Sequence, residues 1–180
     1  MQIREMRWED EQDVDEAVRL LNSGKPWYPL TRDELLEDKE RQKELLDRCF
    51  LMVGATAGAV GFASIQESVW ERSPGKLHIE LAIDPQYRRR GLATLMHNHL
   101  VNEAADHGAK GLVCYVDRTD PEWTAVAENW GYACTQTLCD VRLDPARAVV
   151  DSLEDVAMKA DAAGIRIACF DALADEFPDA

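Results

Sequence analysis

One stretch constrains the fold of this chain more than any other: Leu77-His78-Ile79-Glu80-Leu81-Ala82-Ile83-Asp84-Pro85-Gln86-Tyr87-Arg88-Arg89-Arg90-Gly91-Leu92-Ala93-Thr94. Residues 77–83 are apolar and β-prone, and Asp84-Pro85 ends the run because proline cannot donate to a strand ladder. From Gly91 the period changes. Leu92, Leu95, Met96, His99 and Leu100 recur on one helical face to about His107, where Gly108 supplies a stop. A strand that turns tightly into a helix leaves the first helical N–H groups without partners, at the positive end of the helix dipole. Such a turn binds anions. Gly91 and Ala93 leave room for a pyrophosphate against the backbone, and Arg88, Arg89 and Arg90 can add charge-assisted hydrogen bonds.

The rest of the chain supplies elements on both sides of this unit. Residues 2–7 have strand character, and Val14, Ala17, Val18 and Leu21 predict a helix over 9–21. A breaker-rich loop over 24–29 carries Trp27 and Tyr28. Thr31, with Glu34 three residues on, reads as a capping box opening a charged helix to about Arg48. Residues 49–55 and 59–66 read as a hairpin around Gly58, followed by a loop with Trp70, Pro74 and Gly75. Beyond the central unit come a strand over 112–116, a helix capped by Asp120 with Pro121 at its first position, and two short strands over 132–137 and 138–143. Trp123, Val126, Ala127 and Trp130 are the expected buried stripe of that helix, which Gly131 ends. The order β-α-α-β-β-β-α-β-α-β-β predicts a mixed α/β sheet, not a regularly alternating parallel one.

Length allows one main domain with an appendage, since the chain has 180 residues. With 46% hydrophobic and 30% charged residues it has the composition of a folded globular chain. A net charge of −14 argues against nucleic-acid binding, which needs a basic face. That acidity favours a cationic acceptor such as an amine, or simply maintains solubility through solvated runs such as 37–44. No apolar run approaches a membrane span and the first ten residues are charged, so a cytoplasmic protein is expected, with no membrane partner. Cys49, Cys114, Cys134, Cys139 and Cys169 lack C-x-x-C spacing and read as buried thiols, not as disulfides or metal ligands.

Arg88-x-x-Gly91-x-Ala93, preceded by the aliphatic-x-Pro step Ile83-Asp84-Pro85, resembles the R/Q-x-x-G-x-G/A element of the GNAT acetyltransferase superfamily. The downstream strand, the capped helix at Asp120 and the step Trp130-Gly131-Tyr132 fall in register with that family over about residues 2–143. The resemblance implies a GNAT fold, acetyl-CoA as acyl donor, no metal, and transfer to an amine of a small molecule or peptide. Carried over by position, the backbone of Leu81, Ala82 and Ile83 accompanies the pantetheine and acetyl groups, while Arg88, Arg89, Arg90, Gly91, Leu92, Ala93 and Thr94 hold the pyrophosphate. Glu80 is the candidate base, with His78 two residues away on the same strand face as the reserve. Many family members place a general-acid tyrosine where this chain has Ala127, and an asparagine where it has Asp120. Tyr115 is the candidate substitute. The departure leaves a second expectation, a CoA-binding domain with little catalysis and a regulatory or partner-domain role.

Trp27, Tyr28 and Trp70 occupy regions that line the acceptor cleft in this architecture. Residues 144–180 lie beyond the family-like part. Val149, Leu153, Val156, Ala160 and Ala163 predict a helix that Gly164 ends, and 165–170 reads as a strand. This helix and strand resemble the linker and first strand of a second domain in tandem GNAT proteins; the alternative expectation is a C-terminal extension that packs on its own domain. An unpaired apolar strand is an aggregation hazard, so 165–170 is expected to pair with a sheet edge, its own or that of a second copy in a homodimer.

Overall fold

The computed structural model describes residues 1–24, 29–54, 58–67, 74–117, 120–138 and 153–165. Trp27, Tyr28, Trp70, Cys139, Cys169 and the expected strand over 165–170 therefore fall wholly or almost wholly outside the described residues. The chain divides into two compact units, Met1–Tyr132 and Ala133–Ala180.

In the first unit the elements run β1 (Gln2–Glu5), α1 (Glu11–Gly24), α2 (Arg32–Arg41), β2 (Asp47–Gly54), β3 (Gly58–Gln66), β4 (Lys76–Ile83), a 3-10 turn (Pro85–Tyr87), α3 (Leu92–Asp106), β5 (Gly111–Val113) and α4 (Pro121–Asn129). The strands form one sheet in the order β1-β2-β3-β4-β5. The first three pairings are antiparallel and the last, β4 with β5, is parallel. This is the mixed α/β sheet that the element order predicts.

Each sheet face buries one apolar stripe. Leu92, Met96, Leu100 and Ala104 of α3 pack with Phe50, Met52, Ile65, Leu77, Ile79 and Ile83 on one side. Val14, Ala17, Leu20 and Leu21 of α1 pack with Cys49, Leu51, Phe62 and Ala82 on the other. Full burial of each such large apolar side chain stabilises the fold by roughly 1.5–3 kcal/mol, so these stripes fix which face each helix covers. The ladder slips between Met52↔Gly61 and Val53↔Ala59, leaving Val60 as an extra residue. The bulge inverts the alternation of β3, so that Val60 faces the α3 side while both Ala59 and Phe62 face α1. Gly61 sits where α3 crosses close to the sheet. A Cβ there would lie 2.7 Å from Met96 Sδ and 3.0 Å from Ile83 Cδ1.

The capping box of α2 forms as expected: Thr31 Oγ1 accepts from the Glu34 N–H at 3.2 Å, and Glu34 Oε2 accepts from the Thr31 N–H at 2.8 Å. The helix stops at Arg41, however, short of the expected Arg48. Arg48 belongs to β2, where it pairs with Glu5 of β1 and Glu103 of α3. Those long-range partners override a locally helix-prone, charged run.

Other expectations need correction. The strand expected over 112–116 spans only Gly111–Val113, and the one expected over 132–137 does not form, since 132–138 has no regular structure. The α4 stripe is half-buried, with no residue fully covered. Among the cysteines Cys49 is buried and burial pushes its thiol far up, but Cys134 is exposed. In the second unit, α5 (Leu153–Ala162) is closed by Gly164 at φ 73°, with the Ile165 N–H reaching back to the Ala160 carbonyl at 2.9 Å. Gly164 ends the helix as its sequence position suggests.

Candidate active site

β4 and β5 make a fork. Their pairing covers only Lys76, His78 and the residue between them, opposite Gly111–Val113, yet β4 continues to Ile83. Beyond His78 the β4 backbone pairs with β3 on one side only, among the described residues. From Ile79 to Ile83, β4 therefore has a strand neighbour on the β3 side and none on the β5 side among the described residues, which opens a gap beside it.

The far end of that edge leads into the arginine turn. Asp84 caps the 3-10 turn by accepting from the Gln86 N–H at 3.0 Å. Arg88 Nε donates to the Ile83 carbonyl at 3.2 Å, which folds the turn back on the strand end. Arg90 donates to the Gln86 carbonyl at 3.2 Å and lies over the Tyr87 ring at 5.1 Å, while Arg89 Nη1 stands 3.3 Å from Glu122 Oε1 of α4. Arg89 and Arg90 are exposed and Arg88 half-buried. Arg89 takes φ 61°, an uncommon conformation for a residue with a Cβ.

Gly91 is the N-cap of α3 at φ 77°, ψ 2°, and offers no side chain to the helix. The first helical N–H groups, of Leu92, Ala93 and Thr94, have no acceptor within the helix, because its ladder begins with the Leu95 N–H on the Gly91 carbonyl at 3.1 Å. A Cβ built on Gly91 meets no heavy atom within 4 Å. The backbone angle favours glycine, and the space above it is open. An uncapped helix start, an open cradle and adjacent guanidinium groups fit the pyrophosphate of a CoA thioester.

On the α1 side of the fork stand the ionisable candidates. Glu80, half-buried, lies opposite Ser64 and one residue pair along from Ala82. His78, at the last position paired with β5, is 8% exposed, and its Nε2 has no hydrogen-bond partner. Tyr115 is neither in a strand nor in the core. It is 70% exposed, with its ring 5.8 Å from that of His78. β5 ends two residues earlier, so the sheet no longer holds Tyr115. Glu80, His78 and Tyr115 thus gather at the fork, while the turn residues line its far end.

α4 begins as its sequence predicts, with Asp120 Oδ1 accepting from the N–H groups of Glu122 and Trp123 at 3.0 and 3.2 Å. Ala127 instead anchors Tyr132, whose N–H donates to the Ala127 carbonyl at 3.1 Å. The Tyr132 hydroxyl meets His97 Nε2 at 3.2 Å, and the His97 ring stacks on Trp130 at 4.1 Å. Burial raises the Tyr132 phenol to about 12, with the Cys114 thiol adding to it, and burial lowers the His97 imidazole. This cluster braces α3 against the segment after α4. It was not legible in the sequence, because a histidine on an apolar helix face gives no sign of its partners 33 and 35 residues away.

Among the described residues no His, Cys, Asp and Glu group is placed to hold a metal, and no helix is long and apolar enough to cross a membrane.

A profile described as the acetyltransferase (GNAT) family matches residues 2–132. No curated protein matches the sequence. Among solved structures, an acetyltransferase of Trypanosoma brucei superposes with a TM-score of 0.59 at 20% identity, covering 79% of this chain and 99% of that one. A variant of the BH1408 protein of Bacillus halodurans gives 0.62 at 17%, covering 80% and 100%. The aminoglycoside N-acetyltransferase AAC(6')-Iy in complex with CoA gives 0.59 at 19%, covering 79% and 93%. At these identities the likeness concerns the fold.

Proposed function

Because the chain belongs to the GNAT acetyltransferase family, we propose that it transfers an acetyl group from acetyl-CoA to a primary amine, with the pyrophosphate held at the turn before α3. The observation that carries this reading is the pairing of an uncapped α3 start under an open glycine with a fork where β4 parts from β5 and leads directly to that start. Bound there, acetyl-CoA supplies an activated thioester carbon. The protein's part is to orient that thioester along the Leu81, Ala82 and Ile83 edge and to offer backbone N–H groups to its carbonyl oxygen.

Glu80 takes the proton of the incoming ammonium, directly or through one water, so that the amine lone pair is free to attack. The new C–N bond forms as the C–S bond breaks, the nitrogen gives up its second proton to solvent to leave the neutral amide, and the sulfur leaves as thiolate. Tyr115, beside His78 at the fork, is the side chain we assign to deliver a proton to it. His78, with its unpartnered Nε2, is the reserve base. The net charge of −14 favours a cationic amine acceptor, and AAC(6')-Iy acts on aminoglycosides in the same fold. We place the reaction in the cytoplasm, and Trp27, Tyr28 and Trp70 on the acceptor side.

Alanine at 127, where many GNAT enzymes carry the general acid, favours one second reading, a CoA-binding domain with little turnover. Thiol release from acetyl-CoA across a panel of primary amines separates the two. Glu80→Gln is expected to reduce that rate about 10²-fold at pH 7, with recovery toward pH ~10 as the free amine becomes abundant. Normal turnover of Glu80→Gln at pH 7 removes Glu80 as base, and tight acetyl-CoA binding without thiol release from any amine supports the binding domain.

A further inference from the structure

Asp84 lies where β4 hands the chain over to the phosphate turn. Its N–H donates to the Val60 carbonyl at 3.0 Å, its carbonyl accepts from the Tyr87 N–H at 2.8 Å, and its Oδ1 accepts from the Gln86 N–H at 3.0 Å. The remaining carboxylate oxygen, Oδ2, receives Arg19 Nη1 at 2.6 Å. Arg19 is an α1 residue 65 positions away in sequence. The same guanidinium gives Nη2 to the Ala59 carbonyl at 2.6 Å and Nε to Glu16 Oε2 at 2.9 Å.

Glu16 therefore steers Arg19 from its own helix, while Arg19 ties α1 to the bulged end of β3 and to the β4 exit. The Asp84 side chain is 15% exposed. Burial works to raise its pKa, but the Gln86 N–H and Arg19 outweigh it and hold the carboxyl below its ordinary value. α1 covers one face of the sheet and α3 the other, so this contact reaches around the sheet end to the turn that starts α3. Arg88 fixes the same turn from within, through the Ile83 carbonyl.

We propose that Arg19 is a positioning residue of the acyl-donor site, a strut that holds Asp84 and thereby presets the Arg88 to Thr94 turn for the diphosphate of the donor. The proposal rests on the reading of that turn as a pyrophosphate site. Its consequence is selective. Loss of the strut loosens the phosphate cradle, whereas the β4 edge that guides the pantetheine arm keeps its pairing with β3.

Calorimetry with three probes tests it: acetyl-CoA, 3′-phosphoadenosine 5′-diphosphate as its nucleotide end, and acetyl-pantetheine as its other end. In Arg19→Gln the first two are expected to bind about tenfold more weakly than in wild type, and acetyl-pantetheine unchanged. Asp84→Asn should give the same pattern, and the double variant no further loss, because both break the Arg19–Asp84 contact that sets the turn. Arg19→Lys, which keeps the charge but one branch of the fork only, should fall between. Wild-type binding of acetyl-CoA with unaltered affinity in both single variants overturns the strut alone, as do additive losses or an equal loss with acetyl-pantetheine. A wild-type chain that binds none of the probes overturns the reading of the turn, and the strut with it.

Discussion

Gly91→Glu is expected to abolish acetyl-CoA binding in calorimetry while leaving a folded protein. Nothing lies within 4 Å of a Cβ at this position, so the side chain has room. What it brings is a negative charge over the N–H groups of Leu92, Ala93 and Thr94. Two like charges about 4 Å apart repel by ~4 kcal/mol at an effective dielectric of about 20, which is close to a thousandfold in affinity. Glutamate also has to adopt φ 77°, at a cost of roughly 1–2 kcal/mol, well within what a domain of this size tolerates. Gly91→Ala separates the two contributions. It carries the backbone strain without the charge and should retain most of the affinity. Unchanged binding in Gly91→Glu would remove the turn from the cofactor site.

The largest expected effect on stability comes from the contact between α1 and the β1 edge of the sheet. Asp13, 3% exposed, accepts from Arg4 Nη1 and Nη2 at 2.6 Å each, from the Arg7 N–H at 3.0 Å and from Arg7 Nε at 3.2 Å. It ties α1 to β1 and to the turn after it. Asp13→Ala leaves two guanidinium groups without their shared acceptor and should cost about 3 kcal/mol, the lower end for a broken buried pair because both arginines keep solvent access. For a chain of this length that corresponds to a fall in Tm of about 10 °C.

The pH dependence follows from the same contacts. The hydrogen bonds of Arg4 come first and those of Arg7 second, and together they hold the Asp13 carboxyl well below the usual carboxylate range, against the opposing effect of burial. An unfolded aspartate titrates near ~3.9. The contribution of Asp13 is therefore complete above pH ~5 and is lost as pH falls below ~4 toward the depressed folded value. Denaturant midpoints measured from pH 6 to pH 2 should fall more steeply in wild type than in Asp13→Asn. Parallel curves would show that another carboxylate dominates acid unfolding.

Much of this arrangement was legible in the sequence because it is written locally. The strand, the Asp84-Pro85 stop, the glycine turn and the α3 stripe lie within one continuous segment, and period and turn chemistry specify such segments. The capping box at Thr31 and the N-cap at Asp120 were legible for the same reason. What the sequence hid depends on distant partners. Arg48 reads as the end of a charged helix until Glu5 and Glu103 are placed beside it. Arg19 gives no sign of Asp84, and the bulge at Val60 is visible only once β2 and β3 are paired. Tyr115 reads as part of a strand because its neighbours are apolar, yet β5 ends at Val113 and leaves it exposed beside His78. Side-chain chemistry and strand faces could be read ahead. Which edge would lie open, and which side chains would meet across it, could not.

Acetyl-CoA is expected to bind with its pyrophosphate on the α3 N-terminus and its thioester along β4 where that strand parts from β5. Backbone amide chemical-shift mapping during an acetyl-CoA titration tests it most directly. The largest changes are expected at Gly91, Leu92, Ala93 and Thr94, with a second group at Leu81, Ala82 and Ile83, and the first group should be lost when acetyl-pantetheine replaces acetyl-CoA. Saturating shifts confined to residues outside these two groups, or no shifts at millimolar acetyl-CoA, would contradict it.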